Sequence, residues 1–340
     1  MTAAPKSVAS AFETFNSNIS LNPADRARAE HRHRDVASVL ADARLAASTF
    51  LQGSFARKTM RKPLKDVDIV VVLPAEMEPR WRTASGARTV HELFKEPLRR
   101  RYGAKMSFDQ TAQAGKALQL CFDDVDFTID LVAAFDTGDP NWVDIANRHE
   151  GLWEPSNIRQ LVRVVAERNQ ATDGRFIHQV RMVKEAVAQD DRLDGLCGLA
   201  TESLTYAAVT QKMPHLRAVA ATLRYAATAV AGQVLDPTGV DDLSAKWTPQ
   251  QRAAWAYALD VAARRAEEAL RLERDGQFTD AIATWSALLG EDFPDAPAGQ
   301  SAADMIAAMA SGGTVTSTGR VTSSVHGAGG GRPVRAWRTR

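Results

Sequence analysis

The sequence predicts an α+β fold: a long N-terminal helix, a small mixed sheet, then a C-terminal helical bundle. Three observations carry this. Apolar residues recur at helix spacing at Val36, Val39, Leu40 and Ala43, behind the start signal Asn22-Pro23. Short apolar runs, "DVDIVVVL" and "FTIDLVAAF", read as strands. After about residue 155 the strand signal stops, and segments 156–189, 196–212, 215–231, 249–275, 276–289 and 301–310 all favour helix. The mixed half is too short for several βαβ repeats, so a small sheet is expected rather than a doubly wound one.

In chain order, "VASAFETF" suggests a short helix, and 23–46 the long one. Strands are expected at 48–53 and 67–73, joined by a turn and a basic segment. "RTVHELFKEPLRRRYG" reads as a helix. "KALQLCF" and "VDFTIDLVAAF" read as two strands meeting at an Asp-Asp turn. The expected divisions are 1–150 for the mixed core with its helix, 151–310 for the helical part and 311–340 for a tail. That tail holds seven glycines, much Ser and Thr, five arginines and no acid, and disorder is expected there.

Bulk properties narrow the function. The net charge is +1, and without the arginine-rich tail the body is at −4. A body of that sign argues against general affinity for nucleic acid. The two cysteines, Cys121 and Cys197, make neither a disulfide framework nor a Cys-rich zinc module, and a reducing cytoplasm is expected. The start lacks a signal-peptide pattern, and the longest apolar run, "IVVVL", is far short of a membrane span, so no membrane partner is expected.

The chemistry concentrates in "LQGSFARKTMRKPLKDVDIVVVLP". Side chains alternate along a strand, so Asp66 and Asp68 share one face while Val67, Ile69 and Val71 point into the core. Like charges this close are costly unless a cation lies between them. Paired carboxylates suit Mg²⁺, which takes oxygen ligands and substrate phosphates. Two-metal sites space their ions roughly 3.5–4 Å apart and clamp the attacking and leaving oxygens. A third acid completes such a site. On "VDFTIDLVAAF", Asp126 stands at the turn, where solvation is expected, and Asp130 is flanked by apolar residues as Asp68 is. Asp130 is therefore the choice. Gly53 lets the backbone approach a phosphate, and Ser54 offers a hydroxyl and an amide. Arg57, Lys58, Arg61, Lys62 and Lys65 follow, cations that would offset a triphosphate. Gly-Ser alone, or Asp-x-Asp alone, occurs by chance. The joint order of Gly-Ser, eleven residues, Asp-Val-Asp and a later Asp rarely does.

"GS…DVD…D" resembles the signature of polymerase-β-like nucleotidyltransferases. The chain is similar, more closely, to the bacterial cGAS/DncV-like nucleotidyltransferases (CD-NTases), which make cyclic oligonucleotide second messengers in anti-phage (CBASS) systems. The likeness spans about residues 8–295 and includes "NPADRARAEHRHRDVASVL", "FTIDLVAAF", "FIHQVRMVKEAV", "GLATESLTYAAV", "VLDPTGVDDL" and "ATWSALLGEDFP". It implies a polymerase-β-like core, nucleoside triphosphates as substrates and two Mg²⁺ ions, replaceable by Mn²⁺, held by Asp66, Asp68 and Asp130. It also implies pyrophosphate release and a second transfer that closes a ring. Gly53, Ser54 and Lys58 are the nucleotide-binding candidates near the turn. Lys184 matches the family's triphosphate-contacting lysine, although "MVKEAV" lacks the Trp or Tyr often found soon after it. No activation by DNA is expected, and the resemblance allows the tail to be a handle for a regulatory or conjugating protein. The alternatives are a nucleotidyltransferase modifying a protein, tRNA or small molecule, and a catalytically silent nucleotide-binding protein. Three further expectations concern packing. His31 and His33 are placed on the wet face of the long helix, Trp247, Trp255 and Trp285 are packing anchors in helical segments, and Glu202 is a structurally paired acid.

Overall fold

The computed structural model describes residues 7–109 and 115–296, and the backbone of residues 314–315 and 321–322. The described residues up to Asp295 pack as one compact unit, and the described residues from Ala296 on belong to a second. In that second unit Thr314–Val315 pairs antiparallel with Val321–Thr322. The rest of the expected tail, and the helix expected at 301–310, lie outside the described residues.

The chain opens with α1 (Val8–Ile19), capped by a reciprocal Ser7–Ser10 box. Next comes α2 (Pro23–Asp42), where the Asn22 side chain accepts from the Asp25 amide. Strand β1 (Ser48–Gln52) runs directly into the one-turn helix α3 (Gly53–Ala56), and β2 (Asp66–Val72) follows. Three helices, α4 (Glu78–Trp81), α5 (Ala84–Thr89) and α6 (Glu92–Tyr102), lead to β3 (Met106–Phe108). The sheet is completed by β4 (Leu118–Phe122), β5 (Thr128–Asp136), β6 (Val143–Asn147) and β7 (Leu152–Ser156). The helical half comprises α7 (Ile158–Ala171), α8 (Phe176–Ala188), α9 (Gly198–Ala208), α10 (His215–Ala229), α11 (Pro249–Arg274) and α12 (Phe278–Leu289).

The sheet is mixed, in the order β1-β2-β5-β4-β3, with β6 on β5 and β7 on β6. Its one parallel pair among the described strands is β2–β5, which sets Asp68 directly beside Asp130. Val67, Ile69, Val71, Ile129 and Leu131 pack with Val36 and Leu40 of α2 and with Phe94 and Leu98 of α6. On the opposite face Val70, Val72, Val132 and Ala134 are covered by Phe50 and by Ile158 of α7. The face that carries Asp66 and Asp68 at its start is thus apolar and sealed two residues further on.

Several sequence readings shift. The segment read as one helical stretch, 156–189, is two helices, broken where Asp173 and Gly174 take positive φ (58° and 76°). Strands β3, β6 and β7 were not foreseen. They are short, and β7 contains Pro155 while β6 ends on Asn147, residues depleted from strands. Helix α1 packs its Phe12 against Trp285 of α12, ring centroids 4.9 Å apart. Trp255 and Trp285 are buried anchors, as expected. Trp247 lies ahead of α11 rather than inside a helix, and meets Trp255 edge-on at 5.0 Å. His31 is exposed, but His33 turns inward, its Nε2 3.2 Å from Thr49 Oγ1, and burial lowers its pKa. Among the described residues, no helix is long and apolar enough to cross a membrane.

Candidate active site

The site begins where β1 stops. Gln52 opposes Asp68 across the β1–β2 ladder, so the turn at Gly53 hangs directly over that carboxylate. Gly53 has φ +70°, and a Cβ built on it would fall 1.8 Å from Asp68 Oδ2. Only a residue without a side chain fits there, so glycine is required twice, for conformation and for space. Ser54 follows as the second residue of α3, and its carbonyl accepts from the amides of Thr59 (3.0 Å) and Met60 (3.2 Å). Lys58 takes positive φ (59°) to reverse the chain, and Arg181 Nη1 of α8 donates to its carbonyl at 3.0 Å.

Asp66, Asp68 and Asp130 occupy one patch of sheet. Asp68 suffers most: burial first, then the charge of Asp66, then that of Asp130, push its pKa up to about 7, with Arg57 opposing. Asp130 is also raised, by burial, while Gln119 Nε2 donates to its Oδ1 at 2.9 Å and Asp66 adds repulsion. Gln119 reaches it because β4 pairs Gln119 with Asp130. The carboxylates are turned to different neighbours, Asp68 to Gly53 and Asp130 to Gln119. Among the described residues, no three His, Cys, Asp or Glu side chains already stand as a metal-holding group. Even so, the patch fits a hard divalent cation. Its donors are all carboxylate oxygens, and its uncompensated repulsion is what a cation would remove. Asp126 is exposed and precedes β5, as expected.

A cavity of about 330 Å³ opens on this patch, lined by Ser54, Asp66 and Asp68 on one side and by Lys184, Gly198 and Leu199 on the other. Arg57, Thr59, Arg61, Lys62 and Lys65 also line it. Lys184 is on α8 with its side chain 10% exposed. Its Nζ donates to Glu202 Oε2 at 3.1 Å. Glu202, fully buried on α9, also accepts from Arg57 Nε (2.6 Å) and Thr59 Oγ1 (2.6 Å). Burial pushes the pKa of Glu202 upward, but the charges of Lys184 and Arg57 outweigh it and hold the value down at about 2. Arg61 Nη1 donates to Glu185 of α8 at 2.5 Å.

The structure brings Ser54, Asp66, Asp68 and Lys184 to the cavity, with Gly53 over Asp68 and Asp130 beside it in the sheet. Lys58 is not brought there: its side chain is exposed, and its neighbours Arg57 and Thr59 line the cavity instead. A run of cations does not say which of them turn inward; the left-handed backbone at Lys58 decides it. Gln119 was missed. The signal was present, since it is the polar residue between buried Leu118 and Leu120.

Residues 7–169 match the family described as the Second Messenger Oligonucleotide or Dinucleotide Synthetase domain (SMODS). No curated protein matches the chain. Among solved structures, the chain is similar to an E. coli CdnC in complex with a HORMA protein (TM-score 0.66, 13% identity, 83% of this chain and 97% of that one). It is similar to the Bradyrhizobium diazoefficiens CD-NTase CdnG in complex with GTP (TM-score 0.62, 15% identity, 84% and 96%). A third is the Vibrio cholerae DncV cyclic AMP-GMP synthase with a linear intermediate (TM-score 0.55, 15% identity, 73% and 70%). At these identities the structural likeness establishes the fold.

Proposed function

We propose, from the SMODS match over residues 7–169 and from the fold, that the chain is one of the bacterial cGAS/DncV-like nucleotidyltransferases and condenses nucleoside triphosphates into a cyclic second messenger for anti-phage signalling. One observation carries the assignment of the site. Asp66 and Asp68 line a cavity together with Ser54, Arg57 and Lys184, and Asp130 adjoins Asp68 in the β2–β5 register.

In this reading Asp66, Asp68 and Asp130 hold divalent cations, Mg²⁺ or Mn²⁺. Bound there, such cations would neutralise phosphate charge and lower the pKa of the attacking hydroxyl. Asp130, oriented by Gln119, accepts the proton of that 2′- or 3′-hydroxyl. Gly53 lets the backbone lie close against Asp68, and Ser54 faces the donor phosphates. Arg57 and Lys184 offset their charge from the far wall, and pyrophosphate leaves. A second transfer in the same cleft closes the ring. No protein nucleophile is needed, so catalysis rests on positioning and charge stabilisation.

The test is pyrophosphate release from each NTP, with and without a divalent cation. Release without any acceptor macromolecule supports the reading. Release only when a protein, tRNA or small molecule is added would favour transfer to that acceptor instead. Duplex DNA is expected to leave the rate unchanged, and a large rise would overturn that part. The tail, 311–340, is proposed as a handle for a protein partner. Its deletion is expected to leave synthesis intact, and lost activity would contradict this.

A further inference from the structure

We propose that Glu202 is a positioning residue that holds Arg57, Thr59 and Lys184 against the outer phosphates of the donor nucleotide, an inference resting on the nucleotidyl-transfer reading above. Glu202 is fully buried and does not line the cavity, whereas all three of its partners do. The anion therefore stands behind the groups it organises. Its partners come from separate parts of the chain: Arg57 and Thr59 from the loop after α3, Lys184 from α8. One carboxylate on α9 ties that loop to the helical half at 2.6 Å (Arg57), 2.6 Å (Thr59) and 3.1 Å (Lys184).

The charge count separates this role from a merely structural pairing. A buried acid needs one cation for neutrality, and here two converge on it. The group carries a surplus positive charge in nearly dry surroundings, opposed on the cavity side by Asp68 through Arg57, and an arriving anion relieves the rest. The surplus faces the cavity, so an anionic substrate supplies the missing partner. Burial lowers the pKa of Lys184; of the groups facing it, Glu202 and Cys197 favour its charged form, Arg57 opposes it, and Thr59 Oγ1 accepts from its Nζ. Without the Glu202 charge, Lys184 is expected to give up its proton more readily.

The experiment compares wild type, Glu202→Gln and Leu204→Ala, the last a buried residue of the same helix outside this cluster. Melting, kcat and KM are measured for the best-used NTP, together with titration by its non-hydrolysable triphosphate and its monophosphate. Glu202→Gln is expected to melt cooperatively and to raise KM about tenfold or more with kcat within about threefold. Triphosphate affinity should fall by a similar factor while monophosphate affinity stays, and KM should climb further as the pH is raised. Leu204→Ala should lower the melting temperature and leave KM alone. A wild-type KM in Glu202→Gln overturns the inference and leaves nucleotidyl transfer standing, and so does an equal KM rise in Leu204→Ala. A wild-type protein that neither binds nor turns over any NTP overturns both. If Glu202→Gln does not melt cooperatively, Glu202→Asp carries the test. It keeps the charge but shortens the reach, so a raised KM supports the inference and an unchanged one overturns it.

Discussion

Asp68 and Glu202 are both shielded carboxylates, and Arg57 acts on each, yet their ionisation is driven in opposite directions. Asp68 faces Asp66 and Asp130 and titrates near 7. Glu202 faces Arg57, Lys184 and Thr59 and titrates near 2. Burial raises both, so the neighbours make the difference. Glu202 has its partners within the chain. Asp68 has too few, and its patch remains unstable until positive charge is supplied from outside. On the proposed reading, self-sufficiency marks the supporting group and deficit marks the reacting one.

The comparison can be broken most sharply at the deficit. Asp66→Asn with Asp68→Asn is expected to cut product formation by at least about 10³-fold, measured as pyrophosphate release, because the cation-holding charge is removed. Gly53→Ala should cost about 10²-fold in kcat/KM, since the turn must lift off Asp68 by more than an ångström. Gln119→Ala should cost less, about tenfold in kcat, because Asp130 keeps its place in the strand and loses only its orienting amide.

Stability should sharpen the same contrast with opposite signs. For Asp68 the folded pKa is raised, so the folded state binds the proton more tightly. Its ionisation costs stability as pH rises from about 4 to about 7. Metal-free Asp68→Asn is therefore expected to melt higher than wild type at about pH 8, by roughly 2–5 °C, with the gain shrinking as pH falls toward 4. For Glu202 the folded pKa is depressed. Its contribution is present above about 4.5, the ordinary glutamate value, and is lost as pH falls through about 2. Glu202→Gln should therefore melt lower at pH 8, by an amount reflecting about 3 kcal/mol for uncompensated buried cations. Two carboxylate-to-amide changes that shift melting in the same direction would refute the comparison.

Much of the carboxylate patch proposed to react was legible in the sequence because strand alternation is a local rule. Spacing alone puts Asp66 and Asp68 on one face, and flanking apolar residues separate Asp130 from Asp126. The parallel β2–β5 register that sets Asp68 beside Asp130 was not legible, because it depends on which strands pair. The same holds for Gly53 over Asp68, which needs the β1–β2 register, and for Gln119. The supporting cluster was least visible. Arg57 and Glu202 lie 145 positions apart, and only the packing of α8 and α9 on the loop brings them together. Glu202 was expected to be paired, but its partners were not foreseen. The choice between Lys58 and its neighbours turned on one left-handed residue, which a lysine codon does not announce.

The most direct measurement is one incubation of the purified protein with all four labelled NTPs and Mg²⁺ or Mn²⁺. Phosphatase treatment and mass spectrometry follow, with the Asp66→Asn/Asp68→Asn protein alongside. A phosphatase-resistant cyclic oligonucleotide made by the wild type and absent from the variant is the expected result. The same cyclic product from both proteins would contradict the assignment of Asp66 and Asp68 as the reacting carboxylates.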